Sequence, residues 1–114
     1  MGKPKGTVLL LGTEGCGSGD DNLSFEILIN LMEALADRGD APAAIICWNT
    51  AVRLLAEGSP LLPHFKRLED KGVHFLAGQL CVAELGLTGK IAIGKSATIH
   101  EILDLILHND VISL

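Results

Sequence analysis

The sequence predicts an α/β fold in which helices cover both faces of a five-stranded, mostly parallel sheet. Short apolar runs recur along the chain, and segments with helical periodicity separate them. The predicted strands are Thr7–Leu11, Ala43–Trp48, Val73–Ala77, Ile91–Gly94 and Val111–Leu114. Because a helical segment lies between successive strands, we expect the strands to run in the same direction.

The first predicted helix follows a glycine-rich turn. Asp20, Asp21 and Asn22 are suited to cap its N-terminus, and Gly39 is suited to end it. Between these caps, apolar side chains recur at helical spacing, namely at Ile27, Leu28, Leu31, Met32 and Leu35.

Shorter helices complete the alternation. One is predicted over residues 51–57, and the next begins with Ser59 as cap, places Pro60 at its first position and runs to Gly72. Another follows Cys81 and ends near Gly86. In the last helix, Thr98 and Glu101 have the spacing of a capping box.

Length and composition narrow the class of protein. The 114 residues suit a single domain, residues 1–114, and 48% of them are hydrophobic while 20% are charged. A small chain with this many apolar residues is expected to self-associate as a homo-oligomer, which could be a dimer, a trimer or a hexamer. The net charge of −5 argues against a nucleic-acid partner, which requires a basic surface.

The apolar runs are too short to span a bilayer, so no membrane partner is expected. Residues 1–5 lead directly into the first strand without a secretory apolar region, which predicts a cytoplasmic protein. An odd number of cysteines, three, argues against a disulfide framework.

The glycine-rich turn, residues 12–19, resembles a phosphate-binding loop only superficially. Gly12 and Gly17 have the spacing of a P-loop, but Ser18 stands where that motif requires lysine. Two carboxylates at the following helix start would also repel a phosphate. We therefore predict no nucleotide and no organic cofactor. Two interpretations stay open: a flexible turn, and a mobile loop that shapes a pocket beside Cys81.

Cys81 is the candidate reactive residue. It follows the third predicted strand at the start of a short helix, on the sheet edge where open α/β proteins bind ligands. A thiol at a helix N-terminus is more nucleophilic than a buried one. Glu84, on the same helical face, opposes strong activation. The residues predicted to form the pocket beside Cys81 are Cys16, Gly17, Asn49, Thr50 and Gln79.

The other two cysteines have simpler explanations. Cys47 lies inside an apolar strand and is interpreted as a small core residue. Cys16 is interpreted as an incidental exposed thiol in preference to a redox partner of Cys81, because a disulfide requires Cα atoms within about 7 Å. The three cysteines lack the paired spacing of metal ligands, so no metal site is predicted.

Five segments follow one another in a distinctive order through nearly the whole chain. They are Gly-Asp-Asp-Asn-Leu at 19–23, Trp-Asn-Thr-Ala-Val at 48–52, Ala-Glu-Gly-Ser at 56–59, Leu-Glu-Asp-Lys-Gly-Val at 68–73, and Cys81 before Leu85, Gly86 and Leu87. Together they resemble the DsrE/DsrF-like sulfur-relay family, most closely the C-terminal domain of YedF, a sulfurtransferase-like selenium-metabolism protein.

The resemblance implies a three-layer α/β/α sandwich with a five-stranded parallel sheet, assembly into oligomers, and a persulfide-carrying cysteine at Cys81. YedF-like domains often have Cys-Gly-x-Cys at this turn, whereas Gly78 takes the place of the first cysteine here. The TusA-like sulfur-carrier domain of YedF is absent from this sequence, which predicts a separate TusA-like partner. The function implied is sulfur relay or sulfur transfer; the alternative is a non-catalytic binding or assembly module.

Overall fold

The computed structural model describes residues 6–114, in which five strands form one parallel sheet. The strands are β1 Thr7–Leu11, β2 Ala44–Cys47, β3 His74–Gly78, β4 Lys95–Ala97 and β5 Asp110–Ser113. Their order across the sheet is β4-β3-β2-β1-β5, and every pairing between them is parallel. The predicted fold class is confirmed. The expectation of no secretory segment rests on residues 1–5, which lie outside the described residues.

Helical segments connect the strands and cover both faces of the sheet. The α-helices are α1 Asp21–Asp37, α2 Leu62–Asp70, α3 Gln79–Glu84 and α4 Ile99–His108, and a 3-10 helix spans Asn49–Leu55. No helix within residues 6–114 is long and apolar enough to cross a membrane.

Alternation along the strands divides the core between the two faces. Ile45 and Phe75 belong to the larger cluster, which α1, α2 and the 3-10 helix complete. Their strand neighbours Ile46 and Leu76 belong to a smaller cluster with Ile102 of α4. This is the two-residue period of a strand buried on both faces, and it leaves α4 as the principal cover of the second face.

Local capping explains where α1 and α4 begin. The Asp20 carboxylate accepts a hydrogen bond from the Leu23 N–H at 2.8 Å, as the N-cap of α1. Thr98 and Glu101 form the predicted capping box of α4, with the Thr98 hydroxyl 3.2 Å from the Glu101 nitrogen. Both predicted starts are therefore confirmed.

Two predicted helix boundaries are wrong by a few residues. The C-cap of α1 is Arg38, not Gly39, and its N–H bonds to the Leu35 carbonyl at 3.2 Å. Helix α2 begins at Leu62 and places Pro63, not Pro60, in its first turn. Proline is compatible with the first turn because the N–H it lacks would have no partner within the helix.

The fourth strand differs most from its prediction. Residues 91–94 do not form it: Ile91 makes an isolated antiparallel bridge with Ala56, and Gly94 has a φ of +73°. A positive φ interrupts an extended strand, so β4 begins only at Lys95. Since Lys95 and Ser96 are exposed on this edge strand, the segment has no apolar run that would indicate it.

Candidate functional site

The carboxyl ends of β2, β3 and β4 meet at one edge of the sheet and form a groove there. Its volume is about 670 Å³. Backbone and side chains from the ends of these strands and from α3 and α4 enclose it. The lining residues are Trp48, Asn49, Gly78, Gln79, Leu80, Cys81, Glu84, Leu85, Ala97, Ile99 and Ile102.

Cys81 lies in this groove, in the first turn of α3. Its thiol is half-buried, and the backbone N–H of Asn49 donates a hydrogen bond to its Sγ with an N···S distance of 3.0 Å. The donor residue follows β2, and the acceptor follows β3. The parallel pairing of these strands therefore brings together two groups 32 residues apart in the chain.

The backbone of Asn49 has an unusual conformation that aims this donor. Its φ is +54°, and among residues 6–114 no other non-glycine residue has a positive φ. Asparagine tolerates this left-handed region better than most residues, at a cost that surrounding contacts must offset. The left-handed backbone therefore directs the Asn49 N–H at the Cys81 sulfur.

Gly78 lies between Cys81 and the end of β2. A Cβ atom at this position would lie 3.4 Å from Cys81 Sγ and 3.4 Å from the Trp48 Cβ. Gly78 is both the last residue of β3 and the N-cap of α3, so the chain turns directly from strand to helix beside the sulfur.

The structure places the predicted pocket residues in two groups. Asn49 and Gln79 line the groove with Cys81, whereas Cys16, Gly17 and Thr50 are not among its lining residues. Cys16 is half-buried against the larger core cluster, and its N–H bonds to the Ser24 carbonyl at 3.0 Å.

The three thiols have different surroundings. Cys47 is fully buried, and desolvation raises the pKa of its thiol to about 12. Partial burial also raises the pKa of the Cys16 thiol. Of the three, Cys81 alone lines the groove, and it has a backbone donor on its sulfur.

The groove is mostly apolar. Glu84 carries the one charge among the lining residues, all of which belong to the described part of the chain. Within residues 6–114, no group of three or more His, Cys, Asp or Glu side chains is arranged to hold a metal ion. The chemistry that this site offers is therefore that of a nucleophilic sulfur beside an apolar surface.

No family model matches the sequence, and no curated protein matches it. Solved structures do. The YchN protein from E. coli is 15% identical and has a TM-score of 0.72, with 97% of this chain and 100% of that chain covered. The chain has a DsrE-like fold.

Two further structures share the DsrE-like fold of this chain. MTH1491 from Methanobacterium thermoautotrophicum, a protein of unknown function, is 17% identical with a TM-score of 0.68, covering 95% of this chain and 97% of its own. BT1422 from Bacteroides thetaiotaomicron, a conserved protein of unknown function, is 19% identical with a TM-score of 0.63, covering 95% and 94%. Identities this low show a shared fold and no more.

The apolar wall of the groove in this DsrE-like fold was not predicted from the sequence. Trp48, Ala97 and Ile99 come from segments that are distant in sequence, and only the strand order brings them beside Cys81. Their positions in the chain could have indicated them, because Trp48 directly follows β2, Ala97 ends β4 and Ile99 begins α4.

Asn49→Val is expected to slow alkylation of Cys81 at pH 7 by roughly fivefold. A β-branched residue disfavours positive φ, so the N–H moves away from Sγ and the thiolate loses a charge-assisted hydrogen bond. The expected fall in the alkylation rate is modest, because a thiolate that has lost this hydrogen bond is also more nucleophilic. Asn49→Gly, which permits the same φ, is the matched control and should react within about twofold of the wild type. Equal rates in the two variants would contradict a role for this amide.

Proposed function

We propose that this protein is a small sulfur-relay or sulfurtransferase-like protein that carries sulfur as a persulfide on Cys81. The observation that carries the proposal is the Asn49 N–H aimed at Cys81 Sγ at 3.0 Å, at the mouth of a groove on the carboxyl edge of the sheet. A carrier needs a sulfur that a donor can reach, and the position of Cys81 in the groove supports this part of the proposal.

The reaction requires no metal and no organic cofactor. The Cys81 thiolate attacks the outer sulfur of a persulfide donor, R–S–SH; a new S–S bond forms, the donor S–S bond breaks, and R–S⁻ leaves with the electron pair. An acceptor thiolate then attacks the outer sulfur on Cys81 and releases the Cys81 thiolate. The net result moves one sulfur atom between thiols without net oxidation.

The resemblance to the YedF C-terminal domain supports further parts of the proposal. The chain acts as a single domain, residues 1–114, in the cytoplasm, and a TusA-like carrier protein delivers or receives the sulfur. Selenium is an alternative cargo, because the resembling protein belongs to selenium metabolism. Of the predicted pocket residues, the proposal retains Asn49 and Gln79, which line the groove with Cys81.

Exposed apolar side chains support assembly into a homo-oligomer, a dimer, a trimer or a hexamer. Ile99, Leu103 and Leu107 recur every four residues on α4, and they are 64%, 46% and 65% exposed. The same feature favours the alternative function, a non-catalytic assembly module. In that alternative, Cys81 lines a pocket between subunits and carries no sulfur.

The test of sulfur relay is intact mass spectrometry after incubation with a sulfane-sulfur donor. The wild type is expected to gain the mass of one sulfur atom, which a reducing thiol removes, and Cys81→Ser is expected to gain none. Cys16→Ser is the matched control and should still be loaded. If Cys81→Ser takes up sulfur at the wild-type level, sulfur relay through Cys81 is wrong and the assembly module replaces it.

A further inference from the structure

The groove beside Cys81 has an unusually apolar rim for a solvent-facing site. Leu80, next to Cys81, is 72% exposed, and Ile99 across the groove is 64% exposed. Trp48 and Leu85 add further apolar surface. A concave site of about 670 Å³ lies within the size range of small-molecule pockets, and its walls would gain by contact with an apolar group.

Charge sets a second restriction on what enters. Glu84 is exposed, lies three residues after Cys81 on the same helical face, and is the one charged residue lining the groove in the described part of the chain. Because Glu84 lines the groove, its negative charge disfavours an anion entering there, and no lysine or arginine of the lining set offsets this charge. The groove therefore differs from a site built for thiosulfate or for a carboxylate-bearing thiol.

We propose that the groove selects hydropersulfides R–S–SH whose R group is uncharged and apolar, and that Glu84 determines this specificity by rejecting anionic donors. This inference rests on the proposed sulfur relay. In the transfer, the outer sulfur of R–S–SH moves to Cys81 and R–S⁻ leaves. The apolar R group packs on Leu80 and Ile99 while its sulfur reaches Cys81 Sγ.

Trp48 makes occupancy of the groove measurable without any sulfur chemistry. It is the one tryptophan of the chain, which contains no tyrosine, and it lines the groove. Its fluorescence therefore reports whether a ligand has entered. In the Cys81→Ser protein this signal measures binding alone, because no thiol remains in the groove to react.

The first experiment compares two alkyl hydropersulfides of equal length, one ending in a methyl group and one in a carboxylate. We expect the methyl-ended donor to load wild-type Cys81 about tenfold faster, as one like charge near the sulfur would produce. Glu84→Gln should narrow this ratio to about twofold by accelerating the carboxylate-ended donor. Glu26→Gln, which removes an exposed carboxylate on α1 outside the groove, should leave the ratio at its wild-type value.

The second experiment titrates Cys81→Ser with the matching thioethers, methyl-ended and carboxylate-ended, and follows Trp48 fluorescence. Saturable binding that favours the methyl-ended thioether about tenfold supports the selectivity. Equal binding of the two, or a preference for the carboxylate, overturns it. Fluorescence that changes with protein concentration and not with thioether also overturns it, because a second copy of the chain would then fill the groove.

Together the two experiments separate this inference from the proposed function. If neither donor loads Cys81 while the methyl-ended thioether binds selectively, the sulfur relay fails and the selectivity of the groove stands. If both donors load Cys81 at equal rates, the relay stands and the selectivity fails.

Discussion

At pH 7, iodoacetamide is expected to alkylate Cys81 roughly a thousandfold faster than Cys47. Burial raises the pKa of the Cys47 thiol to about 12, so only about one molecule in 100,000 carries the reactive thiolate at that position. Cys47 is also 0% exposed, whereas Cys81 opens onto the groove and its sulfur accepts the Asn49 N–H. Cys16, half-buried and with its pKa raised, should react at an intermediate rate.

Peptide mapping after timed alkylation measures the three rates in one sample. Because the folded pKa of Cys47 is raised, its rate should climb about tenfold with each pH unit until about pH 12, provided that the fold persists. Alkylation in denaturant is the control, since unfolding should bring the three rates within a few-fold of one another. Native Cys47 that reacts as fast as Cys81 would contradict the buried position of β2.

Gly94→Ala is expected to lower the free energy of unfolding by roughly 3 kcal/mol. Gly94 has a φ of +73°, which an alanine adopts only with strain. Its added Cβ would also collide with the Phe75 carbonyl oxygen and would lie 2.6 Å from the Phe75 Cβ, in β3. Neither contact can be relieved by a flexible side-chain end, so β3 or the start of β4 must shift.

Gly89→Ala isolates the backbone part of this effect. Gly89 has a similar φ of +79°, but a Cβ there would meet nothing within 4 Å. Its cost should be about 1 kcal/mol, from the left-handed conformation alone. Urea unfolding of both variants gives the comparison. Equal losses in the two proteins would show that the approach to Phe75 contributes nothing.

Most of the sheet could be predicted because its strands are buried on both faces and so read as continuous apolar runs. Leu9 and Ile45, for example, are buried and lie in short, continuously apolar runs, which in a small globular protein indicate buried strands. The fourth strand could not be predicted in the same way. Lys95 and Ser96 face solvent. The apolar residues Ile91 and Ile93, which precede them, lie outside β4 and pack against the larger core cluster.

Only those residues of the candidate site that follow a recognisable strand could be predicted from the sequence. Cys81 and Gln79 follow directly on β3, and Asn49 follows closely on β2, so topology alone brings them to one edge. The hydrogen bond between Asn49 and Cys81 depends on a left-handed backbone conformation at Asn49, which no sequence pattern predicts. The apolar rim was equally hidden, because it depends on how α4 packs across the sheet.

Gly78 has a kinetic consequence for any sulfur held at Cys81. A cysteine in its place would put a second thiol on the same turn, since a Cβ there lies 3.4 Å from Cys81 Sγ. Such a neighbour could attack the persulfide, close a disulfide and expel hydrogen sulfide before an acceptor arrived. Because Gly78 has no thiol, this intramolecular reaction cannot occur at that turn. The lifetime of the cargo then depends on collisions with outside thiols, and release becomes a second-order event governed by acceptor concentration.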